Sequence, residues 1–97
     1  GPAAAALVSR GLRDFLASTD AQLATGLSTE ELAARLAGLP LYLPARSLLL
    51  TALQTADLAK FAGATASPHI LITQAREAVQ RVETARRAFA AATPPRP

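Results

Sequence analysis

The sequence predicts an all-α domain, a small four-helix bundle or an irregular orthogonal helical array, from three observations. Apolar residues recur at helical spacing in four segments, no stretch alternates with period two over a strand's length, and Ser, Pro and Gly punctuate the segment ends. The irregular array is preferred because the second segment is so short.

The first helix, about residues 3–18, places Val8, Leu12, Phe15, Leu16 and Thr19 on one face, with Arg10, Arg13 and Asp14 away from its centre. "STDAQLATG" then mixes turn formers with one large apolar residue, so Leu23 is expected to pin this loop to the core. In "GLSTEELAARLAG" Ser28 is the N-cap, Glu31 at N3 closes a capping box, and Leu27 at N′ staples to Leu32 at N4. Gly38 ends this second helix, whose apolar contacts are Leu32 and Leu36; it is too short to hold alone. In "LPLYLP", Pro40 and Pro44 are expected to restrict Leu39 and Leu43 to extended backbone. The third helix is expected to start at Pro44 or Ala45 and run to about Ala62, with Gly63 as its C′ residue. Ser67 as N-cap and Pro68 as N1 open the fourth helix, about residues 68–92. Its stripe is Leu71, Ala75, Ala78, Val79, Val82, Ala85 and Phe89, and its other face is charged.

A chain of 97 residues is one domain at most and buries only about 60 to 65 per cent of the surface it exposes when unfolded. With four aromatic residues and neither Trp nor Met, the core must be aliphatic, and its many alanines favour closely packed helices. Gly1-Pro2 reads as the scar of a cleaved tag and "TPPRP", residues 93–97, as a disordered Pro-rich tail, which leaves residues 3–92 as a single helical domain of a longer protein. No apolar run approaches the ~18 residues that span a bilayer.

Several activities lack their chemistry. There is no Cys, so thiolate catalysis and cysteine metal sites are excluded. His69 is the only histidine and has no second ligand at i+3 or i+4, whereas a metal site needs at least three convergent ligands. The carboxylates are scattered along the chain, and Glu77 and Glu83 precede Arg81 and Arg87 by four as helix pairs do. Ser47 has neither a glycine elbow nor a histidine partner, and the five glycines lie too far apart for a phosphate loop. Acyl carriers are typically acidic and present an Asp-Ser-Leu motif, which is missing here. The net charge of +3 carries no basic cluster, and glutamates are interleaved among Arg76, Arg81, Arg86 and Arg87, which disfavours nucleic acid and membrane surfaces alike. No cofactor is implied.

The third helix raises the sharpest question. Its main face carries Leu49, Leu50, Leu53, Ala56 and Phe61 together with Arg46, Asp57 and Lys60; Leu48, Ala52 and Ala59 form a second stripe opposite, and Leu58 lies beside Thr51 and Thr55. A helix apolar on two sides is either the centre of the domain or meets a partner. Lys60 suits the C-terminal end of this helix, but Asp57 does not. Asp57 is therefore expected to be a structural tether, with Lys60 and Phe61 beside it. It would bind free backbone N–H groups of a neighbouring turn, such as the start of the fourth helix, or an arginine at the core's edge.

Four motifs add a resemblance. "LRDFL", "LSTEEL", "ADLAKFAG" and "AREAV" stand in the order and spacing of the C-terminal cytosolic helical domain of bacterial membrane proteins of the aerotolerance-associated Bat family, which residues 12–87 resemble, BatD-like proteins in particular. After the "KFAG" glycine many relatives carry a charged segment, where this chain has the neutral "ATASP". The resemblance implies a membrane-tethered parent, a place on the cytoplasmic face of the inner membrane of a Gram-negative bacterium, and membrane contact only through the rest of the parent chain. It also implies a system with a MoxR-type AAA+ ATPase and von Willebrand factor A proteins, either of which could be the protein partner. It assigns no catalytic residue.

The expected function is a non-enzymatic protein–protein interaction module. Its candidate contacts are Leu41 and Tyr42 in the "LPLYLP" loop, Leu48 and Leu58 on the third helix, and Arg76, Arg81 and Arg87 on the fourth. The alternatives are a nucleic-acid-binding helical domain using those arginines and a self-association module.

Overall fold

Ser28 decides where the second helix begins. Its hydroxyl accepts from the Glu31 N–H at 3.1 Å, and the Glu31 carboxylate accepts from the Ser28 N–H at 3.1 Å, so two otherwise orphaned donors are satisfied together. The computed structural model describes the backbone of residues 2–61 and 67–92, and the side chains of these except Pro2 and Phe61. Within it the chain forms α1 (Pro2–Thr19), α2 (Thr29–Ala37), a 3-10 helix (Pro40–Ala45), α3 (Arg46–Phe61) and α4 (Pro68–Ala92), with no strand among the described residues. The start of α4 is fixed as the sequence indicates: Ser67 Oγ accepts from Ile70 N at 3.1 Å, and Ser67 O from Leu71 N at 3.2 Å. The expected Gly63 C′ position and the 93–97 tail lie outside the described residues.

The segment between α2 and α3 differs from expectation. Leu39 is extended, at φ −116° and ψ 97°, but Leu43 is not; it lies inside the 3-10 helix, and α3 proper starts at Arg46. The reason is packing. A 3-10 helix repeats every three residues, so Leu39, Tyr42 and Ala45 fall on one face, and burying that face outweighs the extended bias that Pro44 imposes on Leu43.

α3 is the central helix. It packs against α1, α2, α4 and the 3-10 helix, and both of its stripes are used: Leu49, Leu53 and Ala56 on one side, Ala52 and Ala59 on the other, are all buried. A small alanine cluster of Ala5, Ala56, Ala59 and Leu71 joins the beginning of α1 and of α4 to the end of α3, so α3 runs antiparallel to both. The main core holds Leu12, Leu16, Leu32, Leu36 and Val82, and Leu23 fixes the α1–α2 loop to it.

A chain of side chains crosses the seam between these helices. Arg13 donates through Nε to Ser9 Oγ at 3.2 Å, through Nη1 to the Leu27 carbonyl, and through Nη2 to Thr29 Oγ1 at 2.9 Å. The Thr29 hydroxyl in turn donates to Asp57 Oδ2 at 2.6 Å. One hydroxyl at the first residue of α2 thus joins a cation on α1 to an anion on α3, and Ser9, buried in α1, is satisfied by the same guanidinium. Two more arginines hold α2 by its neighbours: Arg35 reaches Gln22 O at 2.9 Å and Arg46 reaches Ala33 O at 3.3 Å.

Asp57→Ala and Thr29→Val are each expected to lower stability by about 1.5–3 kcal/mol, the usual range for a hydrogen bond to a charged group. The melting temperature should then fall by roughly 4–8 °C per kcal/mol. A double-mutant cycle should show the two losses coupled, and strictly additive losses would contradict the relay.

Glu31 gives a pH dependence. Its carboxyl is held below the ordinary 4.5, first by the Ser28 backbone N–H and then by the Ser28 side chain, with slight burial opposing and Arg35 assisting. Because the folded value is depressed, the unfolded chain binds more protons in acid. The stabilisation is present above about pH 4.5 and is lost as the pH falls through the folded value. Glu31→Gln is expected to flatten this loss between about pH 5 and pH 3 in urea unfolding, and an unchanged pH slope would contradict it.

Candidate functional site

The length of α4 creates the surface of interest. At about 1.5 Å per residue, its 25 residues outrun the 16 of α3 by more than 10 Å. Leu71, Ala78 and Val82 are buried, Ala75 and Val79 are half-buried, and the flank of α4 on the α1 side is left partly open.

There an open groove of about 340 Å³ runs between α1 and α4. Val8, Gly11 and Leu12 form one wall and Ile72, Ala75 and Val79 the other, with Arg76 and Gln80 at the rim. Ile72 is 47% exposed despite its size. On α1 the positions Ala4, Val8, Gly11 and Phe15, spaced i, i+4, i+7 and i+11, lie along this side. Gly11 is its least expected member. A glycine inside a helix costs about 1 kcal/mol relative to alanine, yet a Cβ built on Gly11 would meet nothing within 4 Å. No internal packing contact requires the glycine; its effect is to keep one wall of the groove low.

Two further clefts flank α4. One lies between Leu41 of the 3-10 helix and the far end of α4, where Arg86, Arg87, Phe89 and Ala90 line it and Arg86 pairs with Glu83 at 3.6 Å. The other, mostly polar, lies between Leu48 and the α4 residues Glu77, Arg81 and Thr84. Arg76, Arg81 and Arg87 make no hydrogen bond or ion pair with the described residues.

The structure separates the residues singled out from sequence. Arg76 stands at the α1–α4 groove, Leu41 and Arg87 meet in the second cleft, and Leu48 and Arg81 meet in the third. Leu58 is 56% exposed and lines none of these three. Asp57 is half-buried on Thr29, a side-chain hydroxyl of α2 rather than a backbone N–H of α4. Lys60 borders a polar cleft with Ser9, Arg13 and Asp14, and the Phe61 side chain lies outside the described residues.

Tyr42 is corrected. It is 1% exposed, and its hydroxyl donates to Thr19 Oγ1 at 2.7 Å, which in turn donates to Leu16 O at 2.7 Å. The three-residue repeat of the 3-10 helix turns Tyr42 into the core and leaves Leu43 outside, so the expected docking patch around Leu41 and Tyr42 does not exist as such. Phe89, expected in the core stripe, is 58% exposed because α4 projects past its neighbours. The α1–α4 groove was missed; its signals in the sequence were the helix-interior Gly11 and the large apolar Ile72 outside the stripe.

Among the described residues no three His, Cys, Asp or Glu side chains converge as metal ligands, His69 is exposed, and no helix is long and apolar enough to cross a membrane.

Tyr42→Phe is expected to lower stability by about 1 kcal/mol through the lost Thr19 hydrogen bond. Tyr42→Ala should cost about 3–5 kcal/mol as a core truncation. Thermal unfolding of the two variants checks this, and an Ala variant as stable as the parent would return Tyr42 to the surface. No family model, no curated protein and no solved structure matches this chain.

Proposed function

We propose that this domain is a non-enzymatic protein–protein interaction module that receives its partner along the α1–α4 groove. The observation that carries the reading is the groove itself: an apolar trough walled by Val8, Ile72 and Val79, edged by an arginine, and open to solvent. Grooves of this kind between helices are where helical domains accept partner segments. By resemblance of its sequence to the Bat family, the domain is the cytosolic part of a membrane-anchored bacterial protein, and its partner is a MoxR-type AAA+ ATPase or a von Willebrand factor A protein.

The nucleic-acid alternative is weakened by the placement of the arginines. Arg76 and Arg87 line the clefts toward α1 and the 3-10 helix, whereas Arg81 lies across α4 beside Leu48, so they do not form one phosphate track.

A photo-crosslinking residue at Ile72 in the intact parent protein should yield one discrete adduct, and the same residue at Leu58 should not. Calorimetric titration with the purified ATPase or von Willebrand factor A protein should show binding that Ile72→Glu weakens at least tenfold, about 1.4 kcal/mol. Absence of any adduct at Ile72, with no binding of either protein, would sink the reading.

A further inference from the structure

We infer that the occupant of the α1–α4 groove is an acidic amphipathic helix of a partner protein, seated over Gly11 with carboxylates against Arg76. The inference rests on the interaction reading and adds the chemistry of the partner.

Three features of the groove select a helix. The described residues contain no strand, so there is no sheet edge for an extended peptide to join. The wall residues follow helical spacing on both sides, Val8, Gly11 and Leu12 facing Ile72, Ala75 and Val79, which offers ridges and a furrow to a third helix lying along the first two. Gly11 lowers one wall where nothing inside the protein needs the room, so that room serves an approach from outside, as small residues do where helix backbones come close.

Charge selects the sign. On this flank of α4, Arg86 is paired with Glu83, while Arg76 and Arg87 have no partner among the described residues. The uncompensated charge is positive, and the whole chain carries +3. A second copy is disfavoured for the same reason, because a two-fold contact through this groove would set the same arginine-bearing flank against itself. Glutamates on the outer edge of a helix whose leucines enter the groove would meet Arg76 at its rim.

The test uses a helical peptide library, randomised in sequence, selected by display on the intact chain and read by ¹⁵N–¹H NMR. The enriched pool should carry apolar residues at i, i+3 or i+4, and i+7 with Asp and Glu between them, and should perturb Gly11, Ile72 and Val79. Gly11→Gln should weaken binding at least tenfold while raising the melting temperature by about 2–8 °C, because a helix former replaces glycine in open space. Arg76→Glu should weaken binding about fivefold. A neutral or basic pool, a pool indifferent to Gly11→Gln, or a Gly11→Gln chain that melts lower than the parent would each overturn the assignment. So would sedimentation showing a dimer that Gly11→Gln dissolves, since the occupant would then be a second copy. If such results came together with a discrete Ile72 adduct in the parent protein, only the acidic-helix assignment would fail. Loss of the adduct as well would remove the interaction reading.

Discussion

The hydroxyl of Thr29 is the joint on which the arrangement of this domain depends. A nine-residue helix is marginal in water by itself, so α2 must be held from outside. Thr29 accepts from Arg13 of α1 and donates to Asp57 of α3, and no apolar side chain of the same shape could do both. Once its first turn is held there, α2 directs Leu32 and Leu36 into the core, and the chain leaves Gly38 into the 3-10 helix that buries Tyr42. The arginines that reach Gln22 and Ala33 carbonyls add to the same hold. Charged groups here organise the joints between helices, while aliphatic burial supplies the driving force.

That driving force is distributed unevenly. α3 is buried on two sides, and alanines at its end, Ala56 and Ala59, let α1 and α4 approach closely. α2 packs on α3 and the 3-10 helix, away from α4, and so cannot cover the flank where α1 and α4 meet. The groove is the consequence of four helices enclosing a central one with too few elements to shield every side. Gly11 widens the groove, and the helix bears the cost of a glycine without an internal contact that demands it.

Local signals were legible where the physics is local. The capping box at Ser28 and Glu31, the Ser67–Pro68 start of α4 and the pinning Leu23 were readable from residue type and spacing; the two stripes of α3 were readable too, but not whether the domain itself or a partner covers them. The 3-10 helix was not legible, because Pro restricts its predecessor only by a bias, and the burial of Tyr42 and Ala45 on one face outweighed it. Phe89 followed the stripe rule, yet that rule cannot know that a long helix will extend beyond its neighbours. Of the candidate contacts, Arg76, Arg87, Leu41, Leu48 and Arg81 came to clefts along α4, but the groove wall at Gly11 and Ile72 went unread.

By itself the sequence determined that the described residues form helices and no strand, where α2 and α4 begin, that the core is aliphatic apart from Tyr42, and that cysteine and phosphate-loop chemistry are out of reach. Each of these follows from residue identity or from spacing within a few turns. Tertiary structure alone decided the partner of Asp57, the burial of Tyr42 and the open flank between α1 and α4. Those depend on which helix lies beside which, and that is set by residues 16 to 68 positions apart in the chain, as Arg13 and Thr29, Thr29 and Asp57, or Gly11 and Val79 are. Arg13 looked like a surface charge until Leu27 and the first residue of α2 were brought within its reach.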